Sequence, residues 1–347
     1  MNNHMQQDSP FIHKADALAA EALRQDAAFD TEQWQRYIEQ EIGFILPNVQ
    51  RKWLVNAVTQ TALSYGLTIL QLWQQLPINH ELRQQFLDKV LIHESRFFRH
   101  QPSIEFVTEY ALQHQRWQLA NDSNVNSNVN SNVNSNVNSN VASKANNSDH
   151  IATNELFRIW SVGCASGQET WSLAMSLAAK QLTHYTILGT DVSEQALKKA
   201  RVGHYDNRQQ ALIPPHCQQF IQPLRQTSVI EALRFAPVAT NTKQTIKNSV
   251  NANWQVMPTL KQQVRFTLHN IINQEPPTPH LQQVIVCQNM LLYFRKFDQR
   301  DILARLSEQC ALGGYIILAP GEALFWRPSN MRRIAHPQIN AWQKISA

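Results

Sequence analysis

The chain has 347 residues, 43% of them hydrophobic and 16% charged, which is enough apolar material for about two cored domains. No apolar run approaches the roughly 18 residues of a membrane-spanning helix, and residues 1–7 are polar and lack the apolar centre of a secretory signal. The formal charge of +5 suits an acidic partner, but no basic run exceeds two residues, which argues against a nucleic-acid-binding stripe.

Residues 1–28 read as a polar tail ending in an Ala-rich helix, and from residue 31 to 119 every periodic segment is helical. Trp34, Tyr37, Ile38 and Ile42 share one face, with Gly43 as the stop. Residues 49–63 repeat the pattern with Trp53, Leu54, Ala57, Val58 and Leu63, followed by Gly66. A short helix over 67–76 is closed by Pro77, and 81–92 carries Leu82, Phe86, Leu87, Val90 and Leu91. Spacings of three and four residues make these apolar positions core, so residues 29–120 form a small all-α domain.

Residues 121–152 change character. The unit Ser-Asn-Val-Asn begins at Ser123, Ser127, Ser131 and Ser135, and from Ser123 no charge appears until Lys144. Such a segment cannot bury a core, and it reads as a disordered linker between domains.

From residue 153 to 347 strands and helices alternate, which predicts a mostly parallel sheet with helices on both faces. The first strand, 156–162, runs into Gly163-Cys164-Ala165-Ser166-Gly167-Gln168-Glu169, and an amphipathic helix with Trp171, Leu173, Ala174 and Leu177 follows. Strand, glycine turn and helix start form a cradle for a polar cofactor, because the turn lets a ligand approach the backbone and helix-start N–H groups face it. The spacing is Gly-x-x-x-Gly, which makes a dinucleotide a poor choice. The second strand, 185–191, ends in Asp191, where a carboxylate can accept both hydroxyl protons of a ribose or, more plainly, cap the next helix. Ser193 offers an N-cap to a helix over 196–200.

Further strands are expected over 264–268, 283–287 and 315–319, the last preceded by a Gly313-Gly314 turn, with an amphipathic helix over 298–310. The polar stretch 222–258 breaks the alternation and reads as an insertion or subdomain. Cys164, Cys217, Cys287 and Cys310 lack paired spacing and none of the 13 histidines forms a ligand cluster, so no metal or disulfide framework is expected, as in a reducing cytoplasm.

Four blocks occur in order: Glu94-Ser95-Arg96-Phe97-Phe98-Arg99, the Gly163 to Glu169 turn, Gly189-Thr190-Asp191, and Cys287-Gln288-Asn289-Met290-Leu291-Leu292-Tyr293-Phe294. Together they resemble the CheR-type chemoreceptor glutamate O-methyltransferases, from about residue 29 to the C-terminus without the linker. The resemblance implies a Rossmann-like α/β methyltransferase domain after a helical one, with S-adenosyl-L-methionine (SAM) as cofactor and S-adenosyl-L-homocysteine as product. It implies cytoplasmic action on the cytoplasmic domain of a transmembrane chemoreceptor, without membrane insertion or nucleic acid. It also implies that Ser95 and Arg99 contact SAM, Arg99 through the methionyl carboxylate, and that Gly163 belongs to the turn against the cofactor. Glu169 would hold the amino group, Asp191 the ribose, Asn270 and Ile271 the adenine, Asn289 and Met290 the methionyl side, and Tyr293 the methyl's exit. The chain departs from the pattern at His93, a further cofactor-side position where Asn is usual, and at residues 56–63, which lack the usual basic residues. Such differences fit a member serving a pilus chemosensory array. Two functions follow: glutamate methylation, or a catalytically weak SAM-binding signalling module acting through protein interaction.

Overall fold

A computed structural model describes residues 30–47, 51–131, 156–224 and 253–346. The expected tail over 1–28 lies outside them. The first helix, α1 (Thr31–Ile42), starts at Asp30, whose side chain accepts from the Glu32 and Gln33 amides, and ends at Gly43 in the left-handed region. Its Trp34, Ile38 and Ile42, four residues apart, are buried. Three more helices follow: α2 (Arg51–Tyr65), α3 (Ile69–Gln75) with a Thr68–Gln71 capping box, and α4 (His80–Val90) capped by Asn79.

In α2 the buried stripe is Leu54, Ala57, Val58, Thr61 and Ala62. Trp53 and Leu63, expected in the core, are 48% and 45% exposed because each sits one residue off that stripe. The Trp53 indole instead donates to the Val90 carbonyl.

These four helices share one apolar cluster with Trp160, Val162, Ile285, Leu291 and Phe294 of the α/β unit, so they cover one face of its sheet. Helix α5 (Gln101–Ser131) belongs to the other face, where Ile104, Val107 and Ala111 pack with Phe157, Ile159, Trp171 and Leu173. The helix continues through Ser131, so the start of the segment expected to be disordered is helical. Extending an established helix adds one hydrogen bond per residue without a new nucleation cost, so poor helix formers can be carried along. The rest of the repeat lies outside the described residues.

Seven strands form the main sheet in the order β6-β2-β1-β7-β8-β10-β9. They are β1 (Phe157–Val162), β2 (Tyr185–Asp191), β6 (Val264–Leu268), β7 (Gln282–Cys287), β8 (Cys310–Leu318), β9 (Met331–Arg333) and β10 (Asn340–Lys344). The first five are parallel, and β10 and β9 continue the β8 edge antiparallel. Strand β7 is buried at all six positions, as a parallel strand covered on both faces should be. Gly313 and Gly314 lie inside β8, where the β7–β8 register shifts, and not in a turn before it. A Cβ on Gly314 would fall 2.7 Å from the Gln283 carbonyl oxygen, so a side chain there would meet the neighbouring backbone.

Helix α6 (Gln168–Ala179) follows β1, α7 (Glu194–Val202) follows β2, and α8 (Lys296–Gln309) precedes β8. A second, three-stranded antiparallel sheet joins β3 (His204–Tyr205), β5 (Trp254–Val256) and β4 (Ile221–Pro223). The ends of the expected 222–258 insertion thus form β structure, and residues 225–252 lie outside the described residues. From β1 the chain winds outward through β2 to β6, then returns to the far side of β1 as β7. That reversal opens a crevice at the carboxyl ends of β1 and β7. No helix among the described residues is long and apolar enough to cross a membrane.

Candidate cofactor site

The crevice is built from strand ends. After β1, Gly163 (φ +65°) and Gly167 (φ +88°) adopt left-handed conformations, and a Cβ on Gly163 would lie 2.9 Å from Met290 Sδ. Ala165 shares this geometry at φ +48°. Its amide donates to Asp191 Oδ2 at 2.8 Å, and the Ser193 amide donates to Oδ1 at 2.9 Å. Asp191 is thereby held against the glycine turn with an acceptor site left on each oxygen. The bland role of capping α7 falls to Ser193, whose Oγ accepts from the Ala196 amide. Burial pushes the Asp191 carboxyl up, opposed by the Ser193 and Ala165 amides and by His93.

Glu169, in the first turn of α6, accepts from Ser161 Oγ at 2.9 Å. Burial raises its carboxyl to about 7, against the Ser161 bond and the Arg99 charge, with Glu322 adding repulsion. The 93–99 segment crosses the crevice from the helical side. Arg99 donates to the Glu94 carbonyl at 3.0 Å, and the Phe98 amide donates to Ser172 Oγ of α6 at 2.9 Å.

After β6, the Asn270 amide group donates to the Glu41 carbonyl at 2.7 Å, and its Oδ1 accepts from the Ile272 amide at 3.4 Å. Asn270 therefore ties the end of α1 to this wall, and Ile271 beside it is buried. After β7, Asn289 is left-handed at φ +58° and Met290 packs on Gly163. Tyr293 stacks on Phe44 at 5.0 Å and 19°, and its carbonyl accepts from the Ile45 amide at 2.8 Å. Burial raises the Tyr293 phenol, opposed by Arg99.

His93, Ser95, Arg99, Gly163, Glu169, Asp191, Asn270, Ile271, Asn289, Met290 and Tyr293 all line this one cavity of about 140 Å³. The structure thus brings together every residue singled out from sequence. It adds Ile42, the last residue of α1, which the sequence pattern marked only as core, and Phe44 from the α1–α2 connection, which carried no sequence signal beyond the Gly43 stop. Glu322, an acid just past a strand end, also went unnoticed, although it carries the same local signal as Asp191. All four cysteines are buried and free, and burial raises the Cys164 and Cys287 thiols, so packing accounts for them.

The fit of a SAM-like group can be judged from the donors it would meet. Two half-buried carboxylates, Glu169 and Asp191, face the cavity with raised affinities for protons, and each gains from a ligand donor. The exposed Arg99 guanidinium at the rim suits a carboxylate, and the Gly163 backbone leaves room that a side chain would fill. The group fits.

A doubly wound sheet with such a crevice at its switch point defines a nucleoside-cofactor-binding α/β domain. Residues 126–235 and 225–339 match the family described as CheR methyltransferase, SAM binding domain, and the chain belongs to that family. Its cofactor is SAM. The chain is 26% identical over 171 residues to the chemotaxis protein methyltransferase of Listeria monocytogenes, covering 48% of this chain and 54% of that one. It is 26% identical over 200 residues to chemotaxis protein methyltransferase 1 of Pseudomonas aeruginosa, covering 55% and 61%. The chain thus spans little more than half the length of these relatives. Among solved structures, the N-methyltransferase NodS of Bradyrhizobium japonicum has a TM-score of 0.28 at 12% identity, over 55% of this chain and 87% of that one.

Proposed function

We propose that this protein methylates glutamate side-chain carboxylates on the cytoplasmic domain of a chemoreceptor. The observation that carries the reading is the convergence of Arg99, Glu169, Asp191, Asn289 and Tyr293 on one cavity from four separate segments of the chain. Asp191 accepts from the ribose hydroxyls, Glu169 from the amino group, and Arg99 holds the methionyl carboxylate. Ile271 lies against the adenine, with Asn270 bracing that wall through Glu41. Met290 and Asn289 flank the methionyl side, Ser95 stands at the rim, and His93 stands near Asp191 and Asp88.

SAM supplies an activated methyl on a sulfonium sulfur. The acceptor glutamate, with an unperturbed pKa of about 4.3, is already ionised at neutral pH and needs no general base. What remains for the protein is to align the acceptor and exclude water, and orientation of this kind is worth roughly 7–11 kcal/mol in favourable cases. Tyr293, held by its stack on Phe44, is placed to orient the incoming carboxylate through its hydroxyl.

The test is to incubate the protein with methyl-labelled SAM and membranes of its own host. Base-labile label on a membrane protein supports the reading. SAM binding without transfer to any acceptor would leave a binding module instead.

A further inference from the structure

Glu322 is a half-buried carboxylate outside the crevice and without a role in the chemistry above. It follows β8, and its Oε2 accepts from the Asn289 amide at 3.2 Å and the Ala319 amide at 3.0 Å. The Leu291 and Leu292 amides also stabilise its anionic form, while Oε1 is buried without a well-formed hydrogen bond. Behind it stands Asn340 of β10, 2% exposed. Asn340 Nδ2 donates to the Glu322 carbonyl at 2.8 Å and the Ala319 carbonyl at 3.2 Å, and its Oδ1 accepts from the Trp342 indole. One chain of bonds therefore runs from the antiparallel strand β10 through the 319–322 turn to residues 289–293.

That second turn is the one that needs holding. Asn289 enters it at φ +58°, a left-handed conformation that asparagine adopts more readily than most residues but at some cost, so contacts that fix the turn matter. Its amide has Glu322 as its acceptor, and without it a polar group would be stranded beside the cavity. We propose that Glu322 is a positioning residue of the cofactor site: its carboxylate holds the 289–293 turn so that Asn289, Met290 and Tyr293 face the cavity, and Asn340 holds Glu322. The inference rests on the crevice being the SAM site.

The test compares Glu322→Leu and Glu322→Gln by calorimetry with S-adenosyl-L-homocysteine and by amide hydrogen exchange. Glutamine keeps a carbonyl oxygen for the Asn289 and Ala319 amides but gives up the acceptor that faces Leu291 and Leu292, so its affinity should fall clearly less than that of the leucine variant. Leucine offers no acceptor, so the dissociation constant should rise by about tenfold or more. Exchange at Asn289, Leu291 and Leu292 should quicken while the 163–169 amides stay as in wild type. A folded Glu322→Leu with wild-type affinity and exchange overturns the proposal, as does a Glu322→Gln as impaired as the leucine variant. Should Glu322→Leu not fold, Asn340→Ala decides, with faster exchange over 289–292 expected and unchanged exchange overturning the proposal. A wild type that binds no S-adenosyl-L-homocysteine counts against the cofactor reading alone, because the exchange readout still tests the positioning.

Discussion

Glu169 should make the empty protein less stable as pH rises, and should release a proton when the cofactor arrives. Burial lifts its carboxyl from an ordinary 4.5 to about 7 in the folded chain. Between those values the folded state binds more protons than the unfolded one, so stability falls as pH rises through the window and levels off above it. The gap of roughly 2.5 pH units, at 1.36 kcal/mol each, sets a ceiling of about 3 kcal/mol, reduced by crevice water. Glu169→Gln keeps an acceptor for Ser161 Oγ and removes the charge. In urea unfolding of the unliganded protein it should gain up to about 3 kcal/mol over wild type at pH 8 and nothing at pH 4.5. A ligand ammonium against Glu169 would lower its pKa, so binding at pH 7 should release about half a proton, read by calorimetry in buffers of different ionisation heat. Asp191 and Glu322 are also raised, so the Glu169→Gln variant is the control and should lose that release. A stability difference that is equal at both pH values, or proton release that survives in Glu169→Gln, would refute the reasoning.

Asp191→Ala should weaken SAM binding by roughly 1.5–3 kcal/mol, since hydrogen bonds to a charged acceptor are lost; unchanged affinity by calorimetry would remove Asp191 from the ribose. Tyr293→Phe should lower the turnover number far more than SAM affinity, because the ring still stacks on Phe44 while the hydroxyl that orients the acceptor is gone. Equal steady-state turnover with the cognate receptor would take Tyr293 out of the chemistry. Gly167→Ala should cost more than ~1 kcal/mol in urea unfolding, because φ +88° disfavours a side chain and the new Cβ would sit 2.8 Å from that of Ala200. A neutral result there would mean that the turn and α7 can move apart.

Much of the site was legible because its signals are local. A strand running into Gly163 and Gly167, an acid in the first turn of α6, and Asp191 two residues before the Ser193 cap are all contained in windows of about ten residues, where period and capping chemistry suffice. The His93, Arg99, Asn289 and Tyr293 positions had no such local warrant and rested on the ordered resemblance of whole blocks. Contacts far apart in sequence were beyond either route. Asn270, expected beside the adenine, lines the cavity, and its bond to the Glu41 carbonyl 229 residues away is a contact that no local window shows. Gly313-Gly314 looked like a turn, but it lies within β8, where the β7–β8 register shifts. Helix α5 carries an amphipathic pattern that names no partner, and it lies across the sheet from the four helices before it. The short strands β9 and β10 carry too few residues to show a period, and pairing with β8 makes them strands. A side chain's period tells which face is apolar, whereas the identity of the surface that covers it depends on chain segments that meet only on folding.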